Sequence, residues 1–235
     1  MPNYGDPVYW DERYGKCGDS MFDWLEDYKA LKSLLSQFVK PEHKILIVGC
    51  GNANFSEDMY DDGFEFQYNI DISGVVIDQM KVRNKSRKNM VYEKMDCCEM
   101  SYPDNFFDIA IDKSTIDAIL CGDNAYLNTA MMLKEGQRVL KEGGLYIAIS
   151  YGKPETRSFH FERPIFNWKL NQYVFYPVNA KDEKDKEESS HYIYICTKQP
   201  GWLEAYHKNF EPEIVKLILH EKNQMLLKDD EEEKD

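Results

Sequence analysis

The sequence predicts an α/β protein: a doubly wound, mostly parallel sheet of seven strands that ends in an antiparallel hairpin, with helices on both faces. Three observations carry this prediction. Short β-branched runs alternate with helix-length segments as far as residue 150, a spacing that calls for right-handed crossovers and parallel pairing. The first of these runs, 44–48, turns through Gly49-Cys50-Gly51 toward a helix. Near the other end, the strand-like stretches 168–176 and 191–197 are joined by a wholly charged segment, 181–188, that reads as a loop. With no crossover helix between them, these two strands must pair antiparallel.

The elements follow in order. Phe22, Leu25, Tyr28, Leu31, Leu34, Leu35 and Phe38 recur at helical spacing, with Ser20 or Asp23 as the cap and Lys40-Pro41 as the stop. After strand 44–48 come a helix over 55–60 closing at Gly63, a strand over 64–70 ending at Asp71, and a helix over 74–84. Strands over 90–95 and 107–111 follow, the latter ending at Asp112. A long helix over 124–140 stops at Gly143-Gly144, where glycine supplies the left-handed turn, and a strand over 145–150 completes the parallel set. Residues 151–168 read as an aromatic-rich loop, and 202–227 as a helix interrupted near Pro212. The chain thus divides into a domain over 1–198, a helical extension over 199–228, and an acidic tail over 229–235. That tail carries six acids against one base and reads as solvated and disordered.

Composition narrows the function. With 235 residues, 43% of them hydrophobic, the chain can fill one full core. No run approaches the ~20 apolar residues of a membrane span, and the first residues lack a basic, apolar leader, so a cytoplasmic protein is expected. A formal net charge of -13 argues against a nucleic-acid backbone and favours a basic protein partner. The six cysteines form no C-x-x-C pair, Cys97-Cys98 are vicinal, and the five histidines lack ligand spacing. No metal is therefore expected, and the thiols should be reduced.

The chemistry gathers at the strand ends. Gly49 and Gly51 let a ligand approach the backbone without a Cβ in the way. Asn54 stands where a dinucleotide fingerprint has its third glycine, which weakens a pyrophosphate reading. Asp71, 20 residues after Gly51, suits a ribose diol, or caps the helix that follows Ser73. Asp96 suits the exocyclic amine of adenine, with the Cys97 N–H reading the ring and Met80 or Met95 on its face; alternatively it is a plain turn acid. No G-x-x-x-x-G-K-[ST] is present. The pattern describes a nucleoside pocket without a phosphate cradle.

These residues resemble a class I S-adenosylmethionine-dependent methyltransferase, a Rossmann-like fold that ends in such a hairpin. Several segments are similar to the elongation factor 1-alpha lysine methyltransferase group: Tyr9-Trp10-Asp11-Glu12-Arg13-Tyr14, Phe22-Asp23-Trp24, Val48-Gly49-Cys50-Gly51-Asn52-Ala53, the run from Phe107 through Asp112-Lys113-Ser114-Thr115-Ile116-Asp117-Ala118, and Arg138-Val139-Leu140-Lys141-Glu142-Gly143-Gly144. The resemblance spans about residues 8–198. Ser114 departs from it, standing where glycine is expected.

The resemblance implies S-adenosyl-L-methionine as cofactor and S-adenosyl-L-homocysteine as product. It places Gly49 and Gly51 under the methionine portion, Asp71 on the ribose, and Asp96 with Cys97 on the adenine. Asn52 and Ile72 complete the cofactor-binding set. Trp10, Arg13, Tyr14 and Trp24 would fold over the cofactor, Arg13 toward its carboxylate, although the two tryptophans read equally well as core aromatics. Asp112 would sit nearest the methyl group and orient the acceptor amine as the catalytic residue, while Lys113 reads as solvated or paired with a carboxylate. The implied reaction is in-line methyl transfer to a lysine of a basic protein such as elongation factor 1-alpha. Three alternatives stay open: another protein amine such as an N-terminus, a small molecule, or a cofactor-binding adaptor without catalysis.

Overall fold

Alternation along the strands decides which core each side chain joins. The computed structural model describes residues 4–17, 20–177 and 182–232. Its elements are α1 (Pro7–Cys17), α2 (Tyr28–Leu35), β1 (Ile45–Val48), α3 (Phe55–Asp61), β2 (Gln67–Asp71), α4 (Gly74–Arg83), β3 (Met90–Lys94), β4 (Phe107–Lys113), α5 (Thr115–Ile119), α6 (Ala125–Val139), β5 (Leu140–Ser150), α7 (Pro154–Phe161), β6 (Trp168–Phe175), α8 (Glu183–Glu188), β7 (His191–Lys198) and α9 (Trp202–Glu232). The sheet order is β3-β2-β1-β4-β5-β7-β6. The first five strands are parallel, and β7 pairs antiparallel with both β5 and β6. Leu46, Val48, Ala110, Tyr146, Ala148 and Tyr194 face one core with Met132 and Leu133 of α6. Ile45, Ile47, Ile109, Ile111, Ile147 and Ile193 face the other, against Leu31 and Leu35 of α2 and Phe55 of α3.

Register brings the strand ends level. Val48 pairs with Ile70 on one side and Asp112 on the other, and Asp112 pairs with Ala148. The next residues along, Gly49, Asp71 and Lys113, therefore stand side by side at the carboxyl edge, where open α/β sheets bind ligands. Strand order reverses beside β1, the switch point of such a sheet.

Several expectations change. The first predicted helix begins late: residues 21–27 are irregular, Leu25 has φ 62°, and the cap is Asp27, whose side chain accepts from the Ala30 N–H at 2.8 Å. Asp23 is drawn away by Lys113 instead. The α6 helix ends at Val139, where Leu140 is already extended. Gly143, at φ 77°, serves a bulge inside β5, and a Cβ on Gly144 would lie 2.8 Å from Lys141 O. Part of the aromatic loop is α7, and the charged hairpin connection contains α8. Pro212 lies within α9, which runs on to Glu232, so the acidic tail begins as helix; residues 233–235 lie outside the described set. Among the described residues, no helix is long and apolar enough to cross a membrane.

Loss of the α2 cap has a defined cost. Asp27→Ala should destabilise the fold by about 1 kcal/mol, read as a Tm lower by about 2–4 °C in thermal denaturation.

Candidate active site

A cavity of about 510 Å³ runs along the carboxyl edge of the sheet, within the ~300–1,000 Å³ range of small-molecule sites. It reaches from Asp96 and Cys97 after β3, past Asp71 and Gly49, to Lys113 and Tyr151 after β4 and β5. Tyr14 of α1 and Phe22, Asp23 and Trp24 of the strap before α2 line it as well.

The glycine turn is built for close approach. Gly49 and Gly51 have φ of 65° and 54°, where side chains are disfavoured. A Cβ on Gly49 would collide with Thr115 Oγ1, and one on Gly51 would meet the Tyr14 hydroxyl at 2.9 Å. Thr115 keeps its position by donating to Val48 O at 2.8 Å.

Asp71 is buried, and its two carboxylate oxygens accept separately from the Gly51 and Ser73 N–H groups, each at 2.9 Å. Burial pushes its carboxyl up to about 6, against the pull of those donors. Asp96 is exposed and accepts from the Cys98 N–H at 2.8 Å. Met95 lines the cavity, whereas Met80 is buried in the core between α4 and β3. Asp96, Cys97 and Cys98 bring one ligand-type atom each within 4.8 Å of one another.

The N-terminal segment is tied down from several directions. Asp11 accepts from Ser73 Oγ at 2.5 Å, and Gln79 Nε2 donates to Tyr14 O at 3.2 Å, which fastens α1 to α4. Trp10 stacks on Tyr14 with ring centroids 5.8 Å apart and donates its indole N–H to Tyr4 O. Lys113 reaches the strap, donating to Asp23 Oδ1 and, at 2.6 Å, to Trp24 O. Both members of this ion pair are largely enclosed, so burial pushes Asp23 up and Lys113 down.

Trp10, Tyr14, Trp24, Gly49, Gly51, Asp71, Ile72, Asp96 and Cys97 of the expected set all line the cavity. Three others do not. Arg13 lies 5.1 Å from the Phe22 ring centre and 5.4 Å from that of Trp24, and donates to the Tyr9 hydroxyl; its guanidinium braces aromatics. Asn52 donates to Ser20 O at 2.9 Å and accepts from the Phe22 N–H at 3.2 Å, so it anchors the strap. Asp112 falls on the α6 face of β4 by alternation, fully buried. Its carboxylate accepts from the Thr115 and Ile116 N–H groups at 2.8 and 3.2 Å and from the Tyr146 hydroxyl at 3.4 Å. Burial and the charge of Asp117 push it up to about 7. Through these contacts it shapes the turn into α5.

Lys113 is the one cationic side chain among the described lining residues, the position in which Arg13 was expected. Its place next to Asp112, on the opposite face of β4, was the available signal. Asp23 and Asp117, also in the lining, stand outside the expected set as well.

The donor set fits an adenosyl amino acid. It offers a carboxylate for a diol, an acid and an N–H for a base, open backbone at two glycines, and a Lys113–Asp23 pair complementary to a carboxylate and an ammonium. Fold and cavity define a Rossmann-like nucleoside-binding domain of the class I methyltransferase type. The family model for the methyltransferase domain matches residues 46–148. The chain is 42% identical over 201 residues to the bovine eEF1A lysine and N-terminal methyltransferase, covering 83% of this chain but 29% of that relative. It is 30% identical over 181 residues to the mouse EEF1A lysine methyltransferase 4, covering 73% of this chain and 71% of that relative. In fold it superposes on the geranyl diphosphate C-methyltransferase of Streptomyces coelicolor, solved with S-adenosyl-L-homocysteine, at a TM-score of 0.53 and 15% identity, over 72% of this chain and 79% of that one. The chain belongs to the S-adenosylmethionine-dependent methyltransferases, in the group that contains the eEF1A lysine methyltransferases.

The turn before α5 carries a measurable strain. Ser114 has φ 68°, a left-handed conformation that costs a residue with a Cβ roughly 1 kcal/mol. Ser114→Gly should therefore raise the Tm by about 2–4 °C, measured with and without S-adenosyl-L-homocysteine.

Proposed function

We propose that this chain transfers the methyl group of S-adenosyl-L-methionine to a lysine amine of elongation factor 1-alpha. The observation that carries the reading is a single cavity joining nucleoside-type acceptors at β2 and β3 to an aromatic end at β4 and β5. The acceptor is supported by two relatives whose names specify that factor. The chain spans 29% of the length of the bovine one.

When bound, the cofactor supplies a methyl group already activated on a sulfonium, so the protein needs no nucleophile of its own. Its residues bind and orient. Asp71 accepts from the ribose hydroxyls, Asp96 and the Cys97 N–H take the adenine edge, and Ile72 and Met95 pack beside them. Lys113 would hold the carboxylate and Asp23 the ammonium. Trp10, Tyr14 and Trp24 exclude water from above. A lysine amine, ordinarily near ~10.4, must arrive neutral; Phe22, Phe55 and Tyr151 line an apolar approach that favours the neutral form. Asp112 acts at one remove by fixing the turn that presents Lys113 and Thr115.

A second reading has one support: the bovine relative's name also specifies an N-terminal activity. Incubation with labelled S-adenosyl-L-methionine and purified elongation factor 1-alpha, followed by peptide mass spectrometry, separates the two. Methyl-lysine is expected, with Lys113→Met as a cofactor-deficient control. Label confined to the α-amine would favour the second reading, and an unlabelled factor would overturn both.

The protonation of Asp71 gives a pH test. Below about 6 the carboxyl is neutral and accepts hydroxyl hydrogens poorly, so affinity should fall with pH. Calorimetry should give a Kd for S-adenosyl-L-homocysteine that is level above pH 7 and rises, up to about tenfold per unit, below 6. Asp71→Asn should bind weakly with that dependence removed.

A further inference from the structure

We infer that Tyr151 forms the port through which the acceptor lysine enters, and that the substrate segment carrying this lysine lies in a second hollow on the far side of the Tyr151 ring. This inference rests on the methyltransferase reading above and goes further by locating the acceptor. The second hollow, of about 440 Å³, is lined by Lys153, Lys184, Glu187, Glu188, Ser190 and Tyr192 together with Tyr151. Tyr151 is the residue that belongs to both cavities. The side chain thus stands where the cofactor-type cavity and the second hollow meet.

The ring is held where a port requires it. Tyr151 is 54% exposed, yet its backbone is fixed from below: its N–H donates to Asp117 Oδ2 at 3.3 Å. Asp117 is buried and also accepts from Arg157 Nη2 at 2.9 Å, from Arg157 Nε at 3.3 Å and from Ser150 Oγ at 2.5 Å. Arg157 is buried as well, with its guanidinium 5.5 Å from the centre of the Tyr151 ring. On the other flank, Tyr194 donates its hydroxyl to Gly152 O at 2.7 Å. A Cβ on Gly152 would meet Arg157 Nε at 2.4 Å, so the corner closes tightly around the guanidinium. The Asp117–Arg157 pair that seats α7 thus also fixes the corner from which Tyr151 projects.

The chemistry of the passage suits a lysine. An exposed tyrosine ring accepts the alkyl stem and the cationic head of an arriving lysine on its face. The strap aromatics then withdraw water before the amine reaches the methyl end. The hollow itself balances Lys153 and Lys184 against Glu187 and Glu188, and the occupant is a basic protein segment drawn by the chain's net charge of -13. Glu187 and Glu188 at the hollow stand 3.8 and 3.5 Å from Lys153 and Lys184, pairs that an arriving basic side chain can exchange into.

Steady-state methylation of the protein substrate by the full chain tests this. Tyr151→Ala should raise the KM for the protein substrate about tenfold, while the Kd for S-adenosyl-L-homocysteine stays within twofold of the wild type. Tyr151→Phe should restore most of the loss. The double substitution Glu187→Lys with Glu188→Lys should raise the same KM several-fold through like-charge repulsion, more at low salt than at high. If the wild type methylates the factor and its protein KM is unmoved by Tyr151→Ala and by the charge reversal, the port is overturned and the reaction stands. If the wild type binds S-adenosyl-L-homocysteine but labels no protein, the methyltransfer reading falls and the port with it.

Discussion

Asp71 fastens two turns with one carboxylate. One oxygen accepts from Gly51 in the turn after β1, the other from Ser73 in the turn before α4. The cost of burying this acid, visible in its raised pKa, is offset by those two N–H donors. With both turns fixed, Gly49 and Gly51 hold left-handed conformations in which Thr115 and Tyr14 occupy the space a Cβ would take, and both line the cavity. The carboxylate keeps further lone pairs toward the cavity it lines, so the group that secures the scaffold still has acceptor capacity there. The backbone of the same residue anchors the next strand end, since Asp71 O accepts from the Met95 N–H at 2.9 Å.

The N-terminal segment completes what the sheet edge begins. Without it, the strand ends would present a shallow groove. Asn52, held from behind by Arg83 donating twice to its carbonyl at 3.1 Å, clasps the strap at Ser20 and Phe22. Lys113 clasps it again at Asp23 and Trp24. A lysine and an aspartate removed from water beside a glycine turn are expensive to bury as a pair. The pair fastens the strap across the cavity and places two opposite charges, in fixed order, in its lining. Arg13 lies among the Trp10, Phe22 and Trp24 rings and stiffens the strap.

Much of the fold was legible because the strands obey simple periodicity. The run 44–48 could be only a buried strand, and the absence of a long apolar helix between 176 and 191 forced the antiparallel end. The errors fall where local signals competed. The apolar spacing from Phe22 suited a helix, but Lys113, 90 residues away, captures Asp23, and Asp27 takes over the cap. The aromatics of 151–168 looked like loop residues, since nothing in that stretch announces the buried Arg157–Asp117 pair that seats α7. The charged run before β7 accommodates α8 with no apolar face of its own.

The sequence by itself determined the chain of strand ends: Gly49, Gly51, Asp71 and Asp96 each follow a recognisable strand, and parallel pairing brings such ends to one edge whatever the details. It could not decide direction. Adjacent residues on a strand point to opposite faces, so one step separates Asp112, sealed against α6, from Lys113, turned toward the cavity. Only the tertiary structure settles that step, because it depends on which face β1 and β5 present at the same level. The same holds for Asn52 and Arg13, whose partners lie on segments that sequence distance keeps apart and packing brings together.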